Sequence, residues 1–106
     1  MHKETPLYAA RTTPYQGSLM VDICDLALIG SKLEQDGLVI NLTKEYFQQE
    51  VIESDHAGEL LNKCVIANLV GSAIVGQALE MGMAKEASVK RVSGVPFLMI
   101  FKFQQT

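Results

Sequence analysis

Apolar and polar positions along this chain follow two rhythms. Between Asp55 and Gly82, the residues Ile66, Val70, Ala73, Ile74, Ala78 and Met81 recur at spacings of three, four and seven, which places one apolar stripe on a helical face. Ser54 or Asp55 is a suitable cap for a first helix through Leu60 and Leu61. Because Cys64-Val65-Ile66 is partly β-branched and Asn68 is a cap type, the pattern predicts an elbow between Asn62 and Asn68 and a second helix to Met81, stopped by Gly82.

On both sides of this region the period is two. Leu7 to Thr12 reads as a strand with Leu7 and Ala9 on one face and Tyr8 and Ala10 on the other; Pro14 and Gly17 punctuate a loop. Leu19, Val21 and Ile23 then alternate with Met20, Asp22 and Cys24, which predicts an antiparallel partner for the first strand. Ser31 to Glu34 is a short extended piece, and the turn signal Asp36-Gly37 introduces a strand from Leu38 to Thr43. After a connector at Ala84 to Ala87, Val89 to Val92 is a strand with Lys90 and Arg91 on opposite faces, and Ser93-Gly94-Val95-Pro96 is a turn. In the last strand, Phe97 to Phe103, Phe97, Met99, Phe101 and Phe103 line one side, and Leu98 and Ile100 the other.

These elements predict an α+β fold: one domain over residues 1–106, with a small, mostly antiparallel sheet of about five strands and two helices packed on one face. A chain of this size buries roughly 65% of its unfolded surface, enough for one core. The last strand asks for cover on both faces, so the face without helices is expected to be closed by sheet curvature or by another subunit.

Three local features carry candidate chemistry. Asp25, followed by Leu26-Ala27-Leu28-Ile29-Gly30, fits the cap of one helical turn that Gly30 stops; the functional alternative is a general base or cation ligand. Tyr46 and Phe47 are adjacent and cannot both face the core of one helix, so one of them covers a sheet edge or offers a stacking platform. Gly71 and Gly76 lie within the helical pattern, where each costs about 1 kcal/mol relative to alanine. With Ala67 they suggest a small-residue face for close packing, and a ligand contact is the alternative. Their GxxxxG spacing is no phosphate loop, because Gln77 and Ala78 stand where lysine and a hydroxyl are needed.

Composition narrows the field further. No run reaches the ~20 apolar residues of a membrane span, and Met1-His2-Lys3-Glu4 does not open a signal peptide. A cytosolic protein without a membrane partner is expected. Cys24 and Cys64 stand apart, without metal-ligand spacing, so buried free thiols are expected, with a mutual disulfide as the alternative and no metal or cofactor. The net charge of -3 is unevenly spread: residues 1–62 carry four Lys or Arg against ten acids, residues 63–106 five against two. A basic carboxy-terminal part can face an anionic partner.

Cys24-Asp25 with Leu28-Ile29-Gly30, then Tyr46-Phe47, then Ala67-Asn68-Leu69-Val70-Gly71, then Gly94-Val95-Pro96 occur in an order that resembles the uncharacterised archaeal family "domain of unknown function four-twenty-four". The resemblance spans Val21 to Phe97. Where the family has two glycines after the aromatic pair and a histidine after Gly-Val-Pro, this chain has Gln48-Gln49 and Phe97. The resemblance implies a small cytosolic archaeal protein without an established activity, loosely linked to RNA or translation.

Three functions compete. The first is a noncatalytic binding module for RNA or a ribonucleoprotein, with candidate residues Tyr46, Asn68, Gly71, Lys90, Arg91, Gly94 and Lys102; its signature is a contiguous patch of Lys85, Lys90, Arg91 and Lys102. The second is a structural or protein-interaction subunit that forms a homo-oligomer through Phe97 to Phe103. The third is an enzyme with Cys24 as nucleophile and His56 as base, or with Asn68 positioning a substrate carbonyl.

Overall fold

The structure is a computed structural model that describes residues 5–102. Its frame is the hairpin that the alternation predicts. β1 (Leu7–Tyr15) and β2 (Ser18–Asp25) pair antiparallel from Tyr8 opposite Asp25 to Tyr15 opposite Ser18. Gln16 and Gly17 both have positive φ, the turn chemistry that matches strand twist. The same chemistry at Asp36-Gly37 joins β3 (Lys32–Gln35) to β4 (Leu38–Asn41), which form a separate two-stranded sheet.

The region from Asp55 to Gly82 is not two helices around an elbow. α2 (Ser54–Lys63) forms as expected, although Glu53 is its cap residue and neither Ser54 nor Asp55 caps it. Ile66–Val70 is a strand, β6, that runs parallel to β2 in the middle of the main sheet. A short run with Asn68 as its one polar residue fits strand or helix equally, and the β-branched pair Val65-Ile66 after Cys64 tips it to the strand. Helix α3 (Ser72–Glu80) begins only after Gly71, whose φ of +119° no helix accommodates.

The main sheet has six strands in the order β5 (Glu50–Glu53), β1, β2, β6, β8 (Val95–Phe101) and β7 (Lys90–Val92), and is antiparallel except at β2 and β6. Edge strand β5 has no counterpart in the sequence reading; at the other edge, β7 pairs with β8 through a turn at Ser93-Gly94. Pro96 therefore lies in a strand and not in the turn. Phe103 is outside the described residues. The fold is α+β, with six strands in the main sheet where about five were expected, and with a third helix.

α2 and α3 cover the first face, where Tyr8, Val21, Ile23, Leu61, Leu69 and Ile74 form the main core. Part of the second face is covered from within the chain, by the β3–β4 hairpin and α1 (Lys44–Phe47). These bury Leu33, Leu42 and Phe47 against Ala9, Cys24 and Val70. Gln35 Oε1 accepts from the backbone N–H of Ser93 at 2.6 Å, and the Ser93 hydroxyl donates to the Glu34 carbonyl, so the hairpin is tied to the β7–β8 turn. This cover reaches only half of the face. Met99 and Phe101, farther along β8, stay 55% exposed.

Candidate functional site

Strand register decides what lies on the uncovered half. Arg11 pairs with Asp22, Asp22 with Asn68, and Asn68 with Met99, so one row crosses β1, β2, β6 and β8. The next row is Thr13, Met20, Ile66 and Phe101. Side chains in register on neighbouring strands share a face, and a single carboxylate thus sits among sulfur, aromatic and aliphatic groups.

That carboxylate is only 4% exposed. Its Oδ1 accepts from Asn68 Nδ2 at 3.1 Å and from the Tyr46 hydroxyl at 3.3 Å. α1 supplies the tyrosine: the Thr43 side chain caps this one-turn helix by accepting from Tyr46 N at 3.2 Å, and Arg11 Nη1 donates to the Tyr46 carbonyl at 3.4 Å. Phe47 turns into the core, whereas Tyr46 remains 48% exposed, which is the split demanded by two adjacent aromatics. Burial raises the Tyr46 pKa, and the charge and hydrogen bond of Asp22 raise it further, with Arg11 and Asn68 pulling the other way. Its hydroxyl is therefore a lasting donor to Asp22. Ile66 and Phe101 of the second row, with Tyr15 and Ser18 beyond it, help to line a cavity of about 360 Å³.

The sequence-predicted residues do not gather at one place. Asn68 and Tyr46 meet at Asp22. Gly71 instead sits against Asp25, whose carboxylate accepts from Ala73 N and Ile74 N at 2.9 Å each. Asp25 thus caps α3 from the end of the neighbouring strand β2; it makes no side-chain capping bond to its own turn at Leu26–Leu28. Lys90 and Arg91 are on edge strand β7, where Arg91 pairs with Glu86 at 3.2 Å. The Lys102 ammonium donates to the Leu61 and Asn62 carbonyls at the end of α2. Lys90 is opposite Phe97, so about 16 Å of extended chain separates its row from Lys102, and the expected contiguous basic patch does not form. Gly94 forms a turn, and a Cβ there would meet nothing within 4 Å.

The enzyme reading loses its pair. Cys24 lies under the β3–β4 hairpin, and His56 is on α2, 3.9 Å from Glu50, on the other side of the sheet. Burial and then the charge of Asp25 push the Cys24 thiol up to about 12, the opposite of an activated nucleophile. Among the described residues, no three His, Cys, Asp or Glu side chains are grouped to hold a metal ion, and no helix is long and apolar enough to cross a membrane.

Asp22, Arg11 and Met99 were not among the site residues the sequence pointed to. Their signal was present in β2, where Asp22 is the one charged residue between Met20 and Cys24 on a face that ends up largely apolar. A carboxylate placed there needs partners, and only the parallel register of β6 shows that Asn68 is one of them.

A crystal structure described as that of an uncharacterized conserved protein from Methanopyrus kandleri is similar with a TM-score of 0.77, at 17% sequence identity, over 94% of this chain and 96% of that one. At that identity the likeness concerns the fold. No match is found among curated proteins. The family model described as "Protein of unknown function (DUF424)" matches residues 13–103, the stretch that contains Asp22, Tyr46, Asn68, Met99 and Phe101, and the chain belongs to that family.

Proposed function

We propose that the protein is a noncatalytic binding module that docks a protein partner on the open half of its second sheet face. The carrying observation is the pairing of Met99 and Phe101, each 55% exposed, with a carboxylate at Asp22 that is 4% exposed. Tyrosine, methionine, phenylalanine and arginine are enriched in protein interfaces, and lysine is depleted there. This face has Tyr46, Met99, Phe101 and Arg11.

An RNA groove asks for cations along a phosphate track. Here Lys102 caps a helix, Lys90 and Arg91 stand on a distant edge, and an acid occupies the floor. These placements favour a protein partner over RNA or a ribonucleoprotein. A second copy of the chain is a particular case of that partner, favoured by the outward Met99 and Phe101 of the last strand.

A crosslinking pull-down from the native cell, with and without ribonuclease, tests the reading. Proteins captured by the wild type, retained after ribonuclease and lost with Phe101→Glu are expected. Capture that disappears with ribonuclease would assign the face to RNA.

A further inference from the structure

We infer that the partner reaches this face with an arginine side chain, whose guanidinium is received by Asp22 and Asn68 beside the Tyr46 ring. The inference rests on the docking reading above and names the chemistry of its anchor.

The acceptors decide the chemistry. Oδ1 of Asp22 is already engaged by Asn68 Nδ2 and the Tyr46 hydroxyl, while Oδ2 receives no hydrogen bond from any described group. Yet no fully buried side-chain oxygen or nitrogen among the described residues lacks a partner. Oδ2 therefore keeps some contact with solvent although its side chain is otherwise enclosed. Asn68 Oδ1, next to it in the row, also receives no described donor. Two acceptors in this row thus have no described donor, while the Tyr46 hydroxyl is committed to Asp22.

A carboxylate with an apolar rim selects a cation, because a neutral donor leaves its charge unmatched where water is scarce. Among the described residues no cation pairs with Asp22: Arg11, the neighbour in the row, donates to the Tyr46 carbonyl, and no ion pair joins it to Asp22. Of the two long cationic side chains, arginine fits better. Its guanidinium presents several N–H groups in one plane, is less strongly hydrated than ammonium and stacks on aromatic rings. Tyr46 offers such a ring, half exposed, and Met99 and Phe101 offer apolar surface for the arginine stem.

The test titrates the folded protein with acetyl-Leu-Arg-Leu-amide and with the same peptide carrying citrulline, which keeps the shape and removes the charge. Two-dimensional NMR follows the side-chain amide of Asn68 and the methyl of Met99. The arginine peptide should shift both saturably and bind about tenfold more tightly than the citrulline peptide, the scale of a charge-assisted hydrogen bond. Asp22→Asn should abolish the preference with the amide spectrum still dispersed. Tyr46→Leu, a change at a half-exposed position, should weaken only the arginine peptide. Equal binding of the two peptides, or an arginine preference that survives in Asp22→Asn, would overturn the inference and leave the docking surface standing. If neither peptide shifts Met99 while a mixed-sequence single-stranded RNA does, both readings fall.

Discussion

The carboxylate of Asp25 fills the space in which Gly71 has no side chain. A Cβ on Gly71 would lie 2.5 Å from Oδ2 and 2.8 Å from the Cβ of Asp25, and the φ of +119° is itself unsuited to other residues. This close approach lets the end of β2 hold the start of α3. Gly71→Ala should lose roughly 1–3 kcal/mol from backbone strain, with the collision added. Gly76→Ala, inside α3 with open space around it, should gain up to about 1 kcal/mol. Thermal melting compares them, and equal midpoints would refute the contact.

The same carboxylate makes stability depend on pH. Burial raises the Asp25 pKa from 3.8, and the N–H groups of Ala73 and Ile74 offset this only in part. A carboxyl whose folded pKa is raised holds its proton more tightly when folded. Its contribution is therefore complete below the unfolded pKa and is lost as pH rises through the folded one. The stability of the wild type minus that of Asp25→Asn should fall as pH climbs above 3.8 and level off beyond the folded pKa. Urea titrations across that window measure it, and a difference that grows with pH contradicts the assignment.

Both cysteines should react slowly with a thiol reagent in the native state and quickly after denaturation. Burial raises both thiols, and Lys102 only partly offsets this at Cys64. They cannot bridge within one molecule, because Cys24 belongs to the second-face cluster and Cys64 to the first-face core. Rapid native labelling at Cys24 would contradict its burial.

The two sides of β8 predict opposite outcomes for one kind of change. Leu98→Glu puts a charge at a position only 2% exposed and should unfold the protein. Phe101→Glu points outward and should leave stability within about 0.5 kcal/mol. Circular dichroism separates them. If light scattering finds a wild-type dimer at micromolar concentration, Phe101→Glu should be a folded monomer.

Much of this was legible in the chain. Alternation along Leu19 to Cys24 and Phe97 to Phe101 placed the right residues on the right faces, because a half-buried strand must alternate. Asp36-Gly37 marked a real turn. Ile66 to Val70 misled for a physical reason: Asn68 is its one polar residue, too little to mark an alternation, and its apolar residues fall in step with those of α3. The candidate site was half legible. Tyr46 followed from its neighbour Phe47, and Asn68 was singled out both as a helix cap and as a candidate binding residue. The link between them, Asp22, depends on which strands become neighbours, and that is a long-range pairing.

The most direct test of the docking face is a photo-crosslinking amino acid placed at Met99, with Glu59 on the exposed side of α2 as the control position. In native extracts treated with ribonuclease, position 99 should give a discrete protein adduct, identifiable by mass spectrometry, and position 59 should give none. Matching adducts from both positions, or an adduct at position 59 alone, would contradict the claim that the open sheet face binds a protein.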